Sequence, residues 1–476
     1  MFGYTRANLF NQTCKGKLGQ AFNNVATHIG WLLQRQSDKE YPRTKFTNGV
    51  MKGKLMGHEH TGLILDLAAA CRCTGGRKVL LEDSKHMKVQ EFFPNKKWVD
   101  DWLMMLETQL ETEQWLKKDA VSVEEVKRSG PKFREIMSMN KVIGKREEGM
   151  GNKTFNFHGT QHMHEEILNF GTAEGLNTVS DEEHHKKDKK SAGKTQKRPK
   201  TFEIQSMTQI ENRRTIETAV AELKGRVRWH YKERKRELCE KTTLATDGEP
   251  ELSGVLCNIL YDFVLDDWCC NLETLMAKKK KYVYPQPMLV LLQDMAGTVA
   301  EWLEPLPVRS ELVLPGGQTY RASPHSFGKA WYDWGLFKYK DESTGKKMVL
   351  PAHIKAIVDL RRMKMEGNRT KYEPTIYLIV ETVKTNQAQK ELEIASDLFT
   401  PYLKCKRRIP GSQSWERTTQ IWPLDRLLGP TCVIPDVGNK NPNAFLMVAP
   451  MKIWGDILSL WINGEHTKEF EEPQVN

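Results

Sequence analysis

The chain has 476 residues, of which 39% are hydrophobic, with 72 Lys and Arg against 61 Asp and Glu and a net charge of +11. At roughly 100–200 residues per domain that length predicts two to four compact units and excludes a peptide or a disulfide-stapled miniprotein. The nine cysteines form no Cys-x-x-Cys pair, and no stretch is apolar for long enough to cross a bilayer, so the expectation is a soluble intracellular chain with reduced thiols.

Residues 1–130 read as a helical domain. Apolar residues recur at helical spacing over 21–33 (Phe22, Val25, Ile29, Leu32, Leu33), over 61–71 and over 98–116, with a polar loop at 34–54 carrying Pro42 and Gly49. Residues 130–156 are rich in Gly and Lys and predict a connector, so 131–183 is expected to be linker and short motifs. A short helix over 162–170 stops at Gly171. Residues 184–300 are expected to hold a basic run and long helices. There Ile204, Met207, Ile210, Ile216, Val220, Leu223, Val227 and Tyr231 predict an amphipathic helix over 202–231, and four lysines at 278–281 predict an exposed joint.

From about Arg309 the pattern changes. Short runs of β-forming residues at 311–314, 331–340, 348–360, 375–383, 398–403, 418–422, 431–434 and 444–448 predict a small barrel or sandwich over 301–476. The pair Gly316 and Gly317 marks a hairpin turn, and 451–461 predicts a closing helix. The expected fold class is α+β multidomain.

Charge is unevenly placed. Residues 184–240 hold 17 Lys and Arg against 8 Asp and Glu, 301–476 hold 24 against 21, and the remainder sums to −1. Within the first of these segments Lys186, Lys187, Lys189, Lys190, Lys194, Lys197, Arg198 and Lys200 accompany a single acid, Asp188. Lysines spaced in this way neutralise successive phosphates and release counterions, and the same run fits a nuclear-import signal. A solvated charged loop is the plainer alternative. The expected partner is DNA, with nuclear localisation and no membrane.

Three further groups carry possible chemistry. His158, His162, His164, His184 and His185 fall within 28 residues; they suit zinc or, more plainly, ordinary polar contacts. Asp181, Glu182 and Glu183 precede the basic run, where a carboxylate recruits a divalent metal to a phosphodiester or simply favours a helix start. Trp331, Tyr332, Asp333 and Trp334 either line a recognition groove or form one aromatic face of a barrel core.

Several of these residues also follow a family pattern. The order Phe157-His158-Gly159, Phe170-Gly171, Glu182, His184-His185-Lys186 and Thr195-Gln196 with Arg198, then Phe202 and Gln205, resembles transposable-element transposases of algae and fungi, Plavaka-like or related. Upstream, Arg35 to Asp38, Pro42-Arg43-Thr44, Phe46, Gly57-His58-Glu59 and Thr61-Gly62 are similar to the segment preceding that motif. Downstream, Tyr320-Arg321-Ala322 and the aromatic run are similar to the β-rich domain that follows it. The resemblance implies an RNase H-like core of the DDE type, in which three carboxylates hold two Mg or Mn ions. It makes Glu182 the last catalytic and metal-binding carboxylate and places Glu183 where the pattern has a small polar residue. The two upstream aspartates of such a core are not found, so the expectation is the C-terminal part of a transposase that binds DNA without cutting alone. The alternatives are an intact metal-dependent strand transferase, and a chromatin adaptor acting through a β domain of the bromo-adjacent-homology kind.

Overall fold

The computed structural model describes residues 9–10, 16–33, 41–46, 48–51, 59–82, 97–143, 159–172, 202–223, 250–262, 267–271, 306–315, 318–326, 329–340, 347–361, 372–386, 396–408 and 415–468. It is an α+β structure, with helices in the N-terminal part and a curled antiparallel sheet in the C-terminal part.

The helical part contains α1 (Gly16–Leu32), α2 (Glu59–Arg72), α3 (Thr74–Glu82), α4 (Trp98–Leu116) and α5 (Val123–Ile143). On α1 the buried residues Leu18, Phe22, Ala26 and Ile29 recur every three or four positions and form one stripe. The central helix α2 is buried on every side from Thr61 to Arg72. Close approach needs residues without bulk, and a Cβ at Gly62 would lie 1.6 Å from the Arg43 carbonyl oxygen. On α4, Asp100 and Asp101 occupy the first turn, where they complement the helix dipole, and Trp102, Leu106 and Leu110 fill the core.

The connector expected from residue 130 is helix as far as Ile143, because α5 runs straight through Gly130 and Pro131. Proline inside a helix costs about 3 kcal/mol. Burial of Val126, Phe133 and Ile136 against Trp115, Leu458 and Trp461 offsets that cost, and Gly130 lets a histidine ring, His164, sit directly on the helix. That ring belongs to α6 (Met163–Phe170), which follows a single 3-10 turn at Thr160–His162 and ends, as the sequence predicts, at Gly171 with φ 93°.

The helix expected from Phe202 is described as α7 (Phe202–Leu223). Of the apolar residues expected to form its buried face, Ile204, Met207 and Ile216 are exposed. The helical expectation fails farther on, where β1 (Glu251–Asp262) and β2 (Asp267–Asn271) pair antiparallel and β1 continues onto β3 (Leu306–Val313). Strand structure thus begins well before Arg309. Pairing with β3 is a long-range choice that local spacing does not reveal.

The remaining strands are β4 (Thr319–Ser326), β5 (Lys329–Tyr332), β6 (Trp334–Lys340), β7 (Lys347–Asp359), β8 (Ile376–Thr385), β9 (Phe399–Lys404), β10 (Lys406–Arg408), β11 (Trp415–Arg417), β12 (Thr419–Pro423), β13 (Leu427–Pro430), β14 (Cys432–Pro435) and β15 (Ala444–Val448). The main path runs β14-β15-β9-β8-β7-β3-β1-β2, with β6 on β7, β13 on β6, β12 on β8 and β4 joining β3 to β5. The glycine pair 316–317 lies outside the described residues, but the strands flanking it do pair, Val313 opposite Thr319. Because β13, paired with β6, leads directly into β14, paired with β15, the sheet must curl back on itself. One side of it buries Leu312, Tyr320, Phe337, Leu378 and Trp422, and the other buries Trp334, Val383, Tyr402 and Val433.

The closing helix α8 (Met451–Ile462) then packs on α4, and Trp454, Leu458 and Trp461 are buried there. The helical core extends into the sheet: Leu63, Leu67 and Leu106 share one cluster with Phe399, Ile434, Leu446 and Val448. Polar contacts mark the same junction. The Tyr41 hydroxyl donates to the Val448 carbonyl at 3.1 Å and accepts from the Cys432 N–H at 3.1 Å. The Asp436 carboxylate caps the start of α3, accepting from the Thr74 N–H at 2.7 Å and the Thr74 hydroxyl at 2.9 Å.

Candidate functional site

Two groups of charged side chains are held inside this framework. The first lies on the curled sheet. Register places Trp334 opposite His353, His353 opposite Glu381, and Val383 opposite Lys404, so side chains from β6, β7, β8 and β9 meet on one face. The rings of Trp334 and His353 stack at 4.4 Å with 5° between planes. The Lys404 ammonium donates to Glu381 Oε2 at 3.0 Å and sits 4.9 Å from the Phe445 ring centroid and 5.5 Å from that of Trp334. Lys355 lies 3.7 Å from the same carboxylate oxygen and 4.4 Å over the ring of Tyr332.

The histidine tautomer follows from its neighbours. Nε2 faces the Tyr332 carbonyl at 3.1 Å and donates to it, while Nδ1 lies between Glu381 Oε2 at 3.4 Å and the Lys404 ammonium at 3.5 Å. With the imidazole neutral, its proton sits on Nε2. Burial, with the two nearby lysines, pushes the imidazole down to about 3. Glu381 is held well below the usual carboxylate range: burial opposes ionisation, but the His353 contact and the charges of Lys355 and Lys404 overcome it.

The aromatic run divides between core and surface. Trp334 is a core residue stacked on His353 and faced by the chain's own lysine, while Trp331 and Tyr332 are only half-buried. The Asp333 carboxylate between them accepts from the Arg321 N–H at 2.7 Å and the Trp331 indole N–H at 2.7 Å, which fixes the strand corner.

The second group joins α4 to the C-terminal segment. Glu107 and Glu111 lie one turn apart on α4 and are almost fully buried. The Lys468 ammonium donates to both Glu111 oxygens at 2.8 and 2.7 Å, and pairs with Asp397 at 3.1 Å. His466 pairs with the other oxygen of Asp397 at 3.1 Å. Glu107 accepts from the Ser396 hydroxyl, which itself accepts from the Phe399 N–H at 3.0 Å. Burial pushes the Glu107 carboxyl up to about 8, against the pull of Lys468, so it holds its proton at neutral pH. Burial also raises Glu111, while its carboxylate partners hold Lys468 charged.

A third acid stands apart from both groups. Asp66 is fully buried within α2, and neither carboxylate oxygen has a hydrogen-bond partner. Burial raises it well above the usual range, and its nearness adds to the burial that pushes the Cys432 thiol up to about 12. Cys71, Cys73, Cys405 and Cys432 are free thiols.

Most residues picked out by sequence lie outside the described residues: Phe157, His158, Glu182, His184, His185, Thr195, Gln196, and the run comprising Lys186, Lys187, Lys189, Lys190, Lys194, Lys197, Arg198 and Lys200. Gly159 is described, directly before the 3-10 turn that opens α6. Of the clustered histidines, His162 pairs with Glu165 at 3.1 Å and His164 packs on Gly130. Among the described residues no group of three or more His, Cys, Asp or Glu side chains could hold a metal ion, and no helix is long and apolar enough to cross a membrane.

Sequence reasoning missed both charged groups. Glu107 and Glu111 do carry a signal, since they continue the i, i+4 row of the buried Leu103 and so occupy core positions. His353, Glu381 and Lys404 carry none, because only strand register brings them together. No family model matches the chain, and no curated protein or solved structure matches it either.

Proposed function

We propose that this chain is a transposase-derived protein that binds DNA through residues 184–240 and makes no cut on its own. The observation that carries the reading is the charge distribution: a segment of 57 residues holds a surplus of +9 within a chain whose total is +11. Eight cations within Lys186–Lys200 match the spacing of successive phosphates, and the motif order around Glu182 supports the family assignment. The curled sheet is read as a small β-barrel of the chromatin-binding kind. Trp331, half-buried with Arg321 at 5.7 Å over its ring, would be the contact residue of that secondary role.

Salt dependence tests the first reading. If six to ten phosphates are contacted, affinity for a duplex falls about 10³–10⁵-fold between roughly 50 and 200 mM salt. A variant with all eight residues from Lys186 to Lys200 changed to glutamine should lose most of that slope, measured by fluorescence anisotropy. Undiminished binding by that variant overturns the basic-run assignment, and nucleosome binding that survives it favours the sheet. Mg²⁺- or Mn²⁺-dependent nicking that Glu182→Ala abolishes would overturn the non-cutting part.

A further inference from the structure

The segment after α8 is held by ion pairs and hydrogen bonds, without apolar burial. Residues 463–468 read Asn-Gly-Glu-His-Thr-Lys and contain no apolar side chain. Gly464, at φ 79°, turns the chain back, and the Glu465 and His466 N–H groups donate to the Leu460 carbonyl at 2.9 and 3.2 Å. Gly464, Glu465 and Thr467 are exposed, but the Lys468 side chain is 3% exposed and ends on Glu111, which is 0% exposed. Facing that ammonium are Thr108 and Glu111 of α4, with Glu107 one turn earlier, Asp397 from the segment before β9, and His466 from its own segment. Arg72 lies beyond Glu107.

Nearby α8 is held differently, by the buried Trp454, Leu458 and Trp461. Its apolar contacts do not depend on the ion pair. Removing one partner of a buried ion pair costs several kcal/mol, because the other charge is stranded. For a segment with no apolar burial to compensate, that cost falls on its attachment.

We propose that residues 463–468 form a detachable strap keyed by Lys468, which leaves its seat when Glu111 or Asp397 loses its charge, while the cores beneath stay folded. An opened strap uncovers the acidic face of α4.

Trypsin reads this directly, because cleavage after Lys468 requires its ammonium to leave the seat and enter the protease. Limited digestion of the full chain, followed by intact-mass spectrometry, compares wild type with Glu111→Gln and Asp397→Asn. Cleavage after the buried Arg72 reports opening of the core in the same sample. The expected result is a rise of about tenfold or more at Lys468 in both variants, with Arg72 unchanged. Equal rates at Lys468 in all three proteins overturn the proposal, as does a parallel rise at Lys468 and Arg72. Should Glu111→Gln not fold, Asp397→Asn, at the more exposed carboxylate, decides between the same outcomes.

Discussion

Glu107→Gln should make the protein more stable in alkaline solution than in acid, relative to wild type. In the folded chain the carboxyl is buried and titrates at about 8, whereas in the unfolded chain it returns to the ordinary value of 4.5. Between those values the unfolded chain releases a proton that the folded chain keeps. Wild type therefore loses about 1.4 kcal/mol per pH unit through this window. A glutamine keeps the shape and the acceptor for the Ser396 hydroxyl but has nothing to ionise. At pH 5 the two proteins should differ by about 1 kcal/mol or less, and by pH 8 the variant should lead by roughly 3–5 kcal/mol. Urea denaturation followed by tryptophan fluorescence across that range measures the gap. A difference that stays constant with pH would show that Glu107 does not carry its proton into the fold, and the reasoning about its burial would be wrong.

His353→Gln tests the opposite sign. The imidazole is pushed from 6.5 to about 3 in the fold, so its contribution is present above pH 6.5 and is lost as pH falls toward 3, at about 1.4 kcal/mol per unit. The variant should flatten this acid limb in circular dichroism, and an unchanged limb would return the histidine to its ionised form. Gly62→Ala places a methyl group 1.6 Å from the Arg43 carbonyl oxygen, which should cost at least about 2 kcal/mol. A thermal midpoint equal to wild type would mean that α2 and the 41–46 segment separate freely.

The sequence by itself determined the features that depend on neighbouring residues. Helical spacing through Phe22, Ile29, Trp102 and Leu110 located α1 and α4, because an apolar stripe recurs every three or four positions whatever it packs against. Turn residues and β-branched runs located most strands from β6 to β15, and Gly171 located the end of α6. The charge surplus in residues 184–240 was equally legible, being a sum over composition. Tertiary structure decided the rest. Packing on Trp115 and Trp461 carries α5 past Pro131, and pairing with β3 draws residues 251–262 into the sheet. Lys468 meets Glu111 across 357 residues, and Thr74 meets Asp436 across 362. Contacts at such separation leave no periodic trace, since each is set by where the backbone returns and not by the residues beside it. That is why the spacing from Leu103 marks Glu107 and Glu111 as core positions, but only the fold gives them their lysine.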